Sequence, residues 1–280
     1  MKRGFTEFFK KKALRILILK YYEKQPEDQI TEEISEVLDY LKLHPVNIFP
    51  YNFKDKYKIK DIDVKLDAQL NLHYVMMDGK RLYYKNGLNR LKTRKYFKAL
   101  ITEQDPLSPH LYLTDNFNVE EDQIVVDIGA ADGNFGLSII EKVSKLYLFE
   151  PQKSWHKALQ ATFKPWKDKV EIVSKMVSDE NSANSVTLDQ YFSEKTKPDF
   201  IKIDVEGFEN KVIMGSSNIF EEKKRIKLAI CTYHKQDDFE NLSLFFKNAG
   251  FSTSSSRGYM IFRKAIKKPY LRRGILRVWK

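Results

Sequence analysis

Ile124-Val125-Val126-Asp127-Ile128-Gly129-Ala130-Ala131-Asp132-Gly133-Asn134-Phe135-Gly136 decides how the rest of the chain is read. Residues 124–128 form a short apolar run with the β-branched content of a buried parallel strand. A glycine-rich turn follows, and residues 135–143 then carry apolar side chains at helical spacing. The same alternation continues downstream: Leu146-Tyr147-Leu148-Phe149 is a second strand, 155–163 a helix, 170–173 a third strand, 200–204 a fourth and 227–231 a fifth. Residues 239–248 read as a helix stopped by Gly250, which suits the left-handed position after a helix end. Residues 251–255 and 259–262, joined through Arg257-Gly258, read as a terminal hairpin. Parallel strands alternating with helices and closed by an antiparallel edge predict an α/β fold. The sheet should be doubly wound and mostly parallel, with ligands bound beyond the carboxyl ends of its strands.

Upstream the pattern changes. Phe5, Phe8, Phe9, Leu14, Ile16, Leu17 and Leu19 stand among lysines at roughly helical spacing, and Ile30, Ile34, Val37, Leu38 and Leu41 recur every three or four residues until His44-Pro45. Between 49 and 86 the alternation is strand-like, with Asp78-Gly79 as a tight hairpin turn. Residues 89–100 are helical again, and the seam falls at 115–121. The chain therefore divides into an N-terminal α+β extension (1–115), an α/β domain (116–262) and a basic C-terminal tail (263–280). Aromatic residues between 49 and 86 serve as core or as a cover for the crevice.

Composition bounds the possible functions. With 280 residues, 42% apolar and 31% charged, the chain has core enough for an enzyme and is neither disordered nor low in complexity. A single cysteine, Cys231, excludes an intrachain disulfide and a cysteine-built zinc site, and fits a reducing, cytoplasmic setting. The formal charge of +11 sits at the ends: residues 1–24 hold eight basic against two acidic side chains, 263–280 hold eight basic and none acidic, and the body between is left at −3. A nucleic-acid groove through the fold is not expected. Basic ends carrying Phe, Leu and Trp279 suit an anionic membrane surface, so peripheral contact with the inner membrane face stands beside the plainer reading of solubilising tails. No run reaches the roughly 18–20 apolar residues of a spanning helix. The segment from Ala13 to Leu19, interrupted by Arg15, is no signal-peptide core, and export is not expected.

Four groups of residues carry chemistry. The turn spaces its glycines as G-x3-G-x2-G, unlike the G-x-G-x-x-G that holds a pyrophosphate, and Asp127 and Asp132 flank it. Two carboxylates there suit a cationic, hydroxyl-bearing ligand; an incidental Asp cap is the bland alternative. Glu150-Pro151 ends the second strand about twenty residues on, where a carboxylate can accept hydrogen bonds from both hydroxyls of a ribose. A ribose, no diphosphate and a positive charge together describe S-adenosylmethionine. Lys202, Asp204 and Glu206 alternate at the end of the fourth strand and should share one side at the mouth of the sheet, as functional groups or as a Lys202–Glu206 ion pair bracing the strand end. Finally, Cys231-Thr232-Tyr233-His234 ends the fifth strand, and His234 can reach the same crevice. His44, His73, His110 and His156 lie outside these motifs. No metal site is assigned, although ligands other than cysteine leave one open.

Val126-Asp127-Ile128-Gly129-Ala130, Phe149-Glu150-Pro151, Thr187-Leu188-Asp189 and above all Phe200-Ile201-Lys202-Ile203-Asp204-Val205-Glu206-Gly207-Phe208-Glu209 resemble the FkbM family of S-adenosylmethionine-dependent methyltransferases. The resemblance covers residues 120–262. It implies a class I methyltransferase fold, Rossmann-like and seven-stranded with the last strand antiparallel, and methylation of a hydroxyl, frequently on a sugar or secondary metabolite. By position it implies Asp127, Gly129 and Gly133 at the methionine end of the cofactor, with Ala130, Asp132, Asn134 and Phe135 in the same cofactor turn. It implies Glu150 with Pro151 at the ribose, Ser178 and Asp179 after the third strand at the adenine, and Asp204 also against the cofactor. Residues 1–115 carry no part of the signature, so the acceptor is not implied.

Methyl transfer to an alcohol needs in-line alignment and a general base, typically worth about 10²–10⁴-fold. His234 or Asp204 is the expected base, with Lys202 and Glu206 orienting the acceptor or tuning the base. A small-molecule or glycan hydroxyl is the expected partner. The basic charge suggests a nucleic-acid methyltransferase as a second reading. Against it, Asp204-Val205-Glu206-Gly207 stands where base-methylating enzymes of this fold commonly carry Asn/Asp-Pro-Pro-Tyr/Phe. A catalytically silent scaffold is the third reading.

Overall fold

The computed structural model describes residues 2–280, with side chains from Lys10 onward, so the reading of Phe5, Phe8 and Phe9 as an apolar face lies outside the described side chains. Helix α1 (Lys2–Tyr22) packs Ile18 and Tyr22 into one small core with Ile34, Val37 and Leu41 of α2 (Glu32–Leu43). The Thr31 side chain caps α2 by accepting the Ile34 N–H, and the helix ends at His44, ahead of Pro45. Strands β1 (Lys65–Asp67), β2 (Leu72–Met77) and β3 (Lys80–Tyr83) form an antiparallel sheet. Its β2–β3 turn uses Asp78 and Gly79 at φ 49° and 77°, the left-handed pair a two-residue hairpin demands. Helix α3 (Arg90–Glu103), capped by Asn89, closes the extension.

The main sheet grows from its centre. β4 (Ile124–Ile128), α4 (Asn134–Ile139), β5 (Lys145–Phe149), α5 (Lys153–Phe163) and β6 (Val170–Val173) run outward to one edge. A short parallel pair, β7 (Met176–Val177) and β8 (Ser185–Val186), and α6 (Leu188–Tyr191) lead back to β9 (Phe200–Ile203) on the other side of β4. Then come α7 (Glu209–Met214), α8 (Ser217–Glu222), β10 (Lys227–Cys231), α9 (Asp238–Asn248), β11 (Ser252–Ser255) and β12 (Ile275–Trp279). The order is β11-β12-β10-β9-β4-β5-β6, with β12 antiparallel to both neighbours. Winding reverses between β4 and β9, and such a switch point opens a crevice beyond the strand ends.

Two readings need correction. Residues 259–262 are not the partner of β11; they contribute an isolated bridge between Met260 and Arg272. The partner is β12, which comes from the stretch read as a tail, so 263–280 is in part a strand of the sheet. Ile275, Leu276 and Val278 are fully buried between β10 and β11. Arginines hide this strand in the sequence. Arg277 is buried and donates to the carbonyls of Leu111 and Tyr112, and Arg272 is buried against four other carbonyls. The seam near 115 is not a break in packing either: Leu82 and Tyr84 of the extension share one core with Leu137 and Trp155. The Tyr83 N–H also donates to Thr162 Oγ1 of α5 at 3.0 Å.

Candidate active site

On the β4–β5 side, backbone makes the geometry. Gly129 and Gly133 sit at φ 77° and 82°, and Ala131 between them at 46°. A Cβ on Gly129 would stand 2.0 Å from the Asp204 carbonyl oxygen, and one on Gly133 2.7 Å from the Phe163 ring. Both glycines are thus demanded by close packing of the turn on the exit of β9 and on α5. Glu150, 4% exposed, is clamped at both oxygens: the Ala131 N–H donates to Oε2 at 2.9 Å and the Gln152 N–H to Oε1 at 2.7 Å. Ala130 is buried in the turn, and Pro151 is exposed beyond Glu150. Asp132 accepts the Asn134 N–H at 3.0 Å, and burial pushes its carboxyl up to about 7. Asn134 caps the next amide, that of Phe135, whose ring packs on Tyr112 and Phe200.

On the β9–β10 side, side chains make it. Lys202 is buried, with Nζ 2.9 Å from Asp127 Oδ1 and donating to the Gly129 carbonyl at 2.9 Å. Burial opposes its charge, but Asp127 and Asp204 outweigh burial and hold the ammonium above its ordinary range. Lys202 is therefore an internal brace between β9 and the glycine turn, with Asp127 buried as its partner, and its charge also acts on Asp204, in line with the expected tuning of the base. Glu206 departs from the expected alternation. Strand β9 ends at Ile203, the alternation stops, and Glu206 adopts φ 52° with its side chain 82% exposed and 3.8 Å from Lys264. The Lys202–Glu206 pair does not form.

Asp204 and His234 do meet. Tyr112 Oη donates to Asp204 Oδ2 at 2.9 Å, and His234 Nε2 lies 3.6 Å from Oδ1. His234 Nδ1 lies 2.7 Å from Glu209 Oε1. Glu209, buried at the start of α7, is held there by the Val205 and Gly207 N–H groups at 3.3 Å each. An ionised carboxylate can only accept, so Nδ1 carries the proton and Nε2 faces Asp204. Burial works against charge on Asp204, yet Lys202, His110, His234 and the Tyr112 hydroxyl hold its carboxyl below the usual range. Burial likewise lowers His234, but Glu209 and Asp204 more than reverse this and raise the imidazole above its ordinary value.

Sequence reasoning missed Glu209, Tyr112 and His110. Glu209 ends the fourth-strand motif and carried a signal in that position. His110 and Tyr112 precede the seam and reach the site only through the fold. His110 Nε2 lies 3.7 Å from Cys231 Sγ and 4.0 Å from Asp204 Oδ2, and burial pushes its imidazole down to about 4. Asp204 belongs to two compact donor sets, one with His110 and Cys231 and one with Glu209 and His234, but the Lys202 charge already serves it. Ser178 and Asp179 follow β7, outside the main sheet. Ser178 Oγ donates to Asp179 Oδ1, Asp179 pairs with Lys211 at 3.2 Å, and a Cβ on Gly215 would meet the Ser178 carbonyl. The Ser178 N–H donates to the Val186 carbonyl of β8 at 3.0 Å, so their polar contacts go to β8 and α7 rather than to the glycine turn.

Residues 102–253 match the profile of the family described as Methyltransferase FkbM domain. No curated protein sequence matches. Similar solved structures include the methyltransferase FkbM from Methylobacillus flagellatus KT, at 18% identity and a TM-score of 0.48, covering 68% of this chain and 54% of that one. The precorrin-6y C5,15-methyltransferase from Geobacter metallireducens GS-15 has 12% identity and a TM-score of 0.41, covering 70% and 94%. Trm5b from Pyrococcus abyssi has 12% and 0.42, covering 78% and 62%. The chain thus spans about half the length of the first of these structures. The matched segment takes in His110 and Tyr112 and leaves α1, α2 and the three-stranded sheet outside.

Proposed function

The chain belongs to the FkbM methyltransferase family, and from that premise we propose that it moves the methyl group of S-adenosylmethionine to a hydroxyl of a sugar, a cell-surface glycan or a secondary metabolite, with His234 as general base. The residues fit that cofactor by their chemistry. Glu150 is fixed by two backbone amides and keeps acceptor capacity for a pair of ribose hydroxyls. Asp132 and Asn134 stand in the same turn, and Asp204 completes the set from β9. When bound, the cofactor supplies an electrophilic methyl carbon on a sulfonium.

The observation that carries the assignment is the Glu209–His234–Asp204 row. With the proton on Nδ1 held by Glu209, Nε2 keeps its lone pair, 3.6 Å from Asp204 Oδ1. A hydroxyl placed there gives its proton to Nε2 as its oxygen attacks, and the two carboxylates stabilise the imidazolium that results. Tyr112 holds the far oxygen of Asp204, and Arg272 holds the His234 carbonyl at 2.8 Å. The test is a transfer assay with labelled S-adenosylmethionine against glycan fragments and lipid-linked saccharides. Incorporation should be lost in both His234→Ala and Asp204→Asn; full activity with unchanged pH dependence in both rejects the assignment. Calorimetry that finds no S-adenosylmethionine binding favours a silent scaffold.

We also propose peripheral contact of the basic N-terminal helix with an anionic leaflet. Ile16 and Leu17 are exposed on α1, and Lys10, Lys11 and Lys12 stand on the same helix. The C-terminal end supports this less than its charge suggests, because Arg272 and Arg277 are buried. Among the described residues no helix is long and apolar enough to cross a membrane. Flotation with anionic liposomes tests the contact, and protein left at the bottom refutes it.

A further inference from the structure

We propose that a cavity between the helical extension and the loop after β10 binds a neutral saccharide unit of the acceptor, a proposal that rests on the hydroxyl-methyltransferase reading above. The cavity measures about 490 Å³, and its walls include Tyr21, Tyr22, Gln29, Gln236, Glu240 and Tyr259. That volume is within the range of small-ligand sites.

The cavity is joined to the proposed base by direct bonds. Gln236 stands two residues beyond His234, and Arg272, also in the wall, donates to the Tyr233 and His234 carbonyls at 2.8 Å each. The same guanidinium donates to Gln236 Oε1 at 3.2 Å, and Gln236 Nε2 donates to the Leu271 carbonyl at 3.0 Å. A group seated in the cavity therefore lies against the loop that carries His234.

The charges of the wall specify what can sit there. Arg272 is spent on carbonyls. Arg273 is 2.8 Å from Glu33 and stacked 4.0 Å from the Tyr259 ring centroid. Asp237 is paired with Lys267 at 2.9 Å. A phosphate or carboxylate thus meets no uncommitted cation among the described residues of the wall, and Glu240 would repel it. Tyr22 is buried, the Tyr259 ring is stacked on Arg273 and the Gln236 amide is bonded at both ends, so what remains is the half-buried Tyr21, the Gln29 amide and the Glu240 carboxylate. The Tyr21 ring can cover the C–H side of a pyranose, and the Gln29 amide and Glu240 carboxylate can pair with its hydroxyls. Tyr21, Tyr22 and Gln29 precede the matched family segment and Tyr259 follows it, so one side of the wall comes from parts of this chain outside that segment, while Gln236 and Glu240 come from within it.

The test is saturation-transfer NMR on the full chain with the methyl glycosides of glucose, galactose, mannose and rhamnose, repeated on Gln29→Trp and Glu240→Ala. Both substitutions fall at exposed positions, and unchanged melting and S-adenosylmethionine calorimetry verify that the variants are folded. The expected result is a transfer signal from at least one glycoside, lost in Gln29→Trp and reduced in Glu240→Ala. No signal from any glycoside, or signals untouched by both substitutions, overturns the proposal. A chain that binds S-adenosylmethionine but no glycoside loses the saccharide site alone. One that binds a glycoside here but no S-adenosylmethionine keeps the site and loses the methyltransferase reading.

Discussion

The two banks of the crevice are built in opposite ways. On the β4–β5 bank, backbone amides hold carboxylates over short chain separations, as Ala131 holds Glu150 across 19 residues and Asn134 holds Asp132 across two. On the β9–β10 bank, apart from Glu209 on its two local amides, side chains hold one another or distant carbonyls: Tyr112 reaches Asp204 across 92 residues, Lys202 reaches Gly129 across 73, and Arg272 reaches His234 across 38. A bank made of backbone tolerates loss of one side chain without losing its shape. A bank made of buried charges does not, because each partner removed leaves another uncompensated in a low dielectric. Substitutions on the first bank should cost affinity, and substitutions on the second should cost chemistry or fold.

His234→Ala should have the largest effect, a fall in methyl transfer of about 10²–10⁴-fold, with S-adenosylmethionine affinity by calorimetry unchanged. A parallel loss of affinity would show that the banks are not separable. Lys202→Met should come next. It strands the Asp127 carboxylate in the core and should cost about 3–5 kcal/mol in denaturant unfolding, largely recovered in the double variant Lys202→Met, Asp127→Leu. Glu150→Ala, on the other bank, should weaken S-adenosylmethionine binding by about 10–100-fold, the scale of hydrogen bonds to a charged group, while turnover at saturating cofactor persists.

A smaller effect is a displaced pH profile. The His234 imidazole is raised above its ordinary value. Its contribution to stability is therefore present at low pH and lost as pH rises through the raised value. Catalysis needs the neutral ring, so turnover should climb over that same interval. Glu209→Gln removes one of the charges that raise His234, and the acid limb of the kcat profile should move to lower pH. A limb that stays in place would take the proton transfer away from His234.

The same contrast explains what was legible in the sequence. The β4–β5 bank is local, and the glycine turn and Glu150 stood in the right relation on the page. Strand β10 fell where its apolar run placed it, at 227–231. Legibility failed wherever side chains act at a distance. Arg272 and Arg277 looked like solvent charge and concealed β12, because nothing local shows that their guanidiniums are taken up by carbonyls across the fold. His110 and Tyr112 stand before the seam with no motif around them. Glu206 failed for a local reason: extrapolating strand alternation past Ile203 assumed a strand that the left-handed Glu206-Gly207 pair ends.

Glu206 also offers the smallest predicted effect and a sharp edge for the second bank. It shares a decapeptide with Lys202, Asp204 and Glu209, yet its side chain is in solvent and its partner, Lys264, is 70% exposed. Exposed pairs contribute about 0–1 kcal/mol and are screened by salt. Glu206→Gln should therefore leave turnover, S-adenosylmethionine affinity and melting temperature indistinguishable from the parent protein, while its neighbours in the motif do not tolerate change. A clear drop in turnover with unchanged cofactor affinity would mean that the acceptor extends past Asp204 onto the turn at 205–207. The second bank would then continue beyond the buried charges, and exposure would cease to separate the residues that act from those that only accompany them.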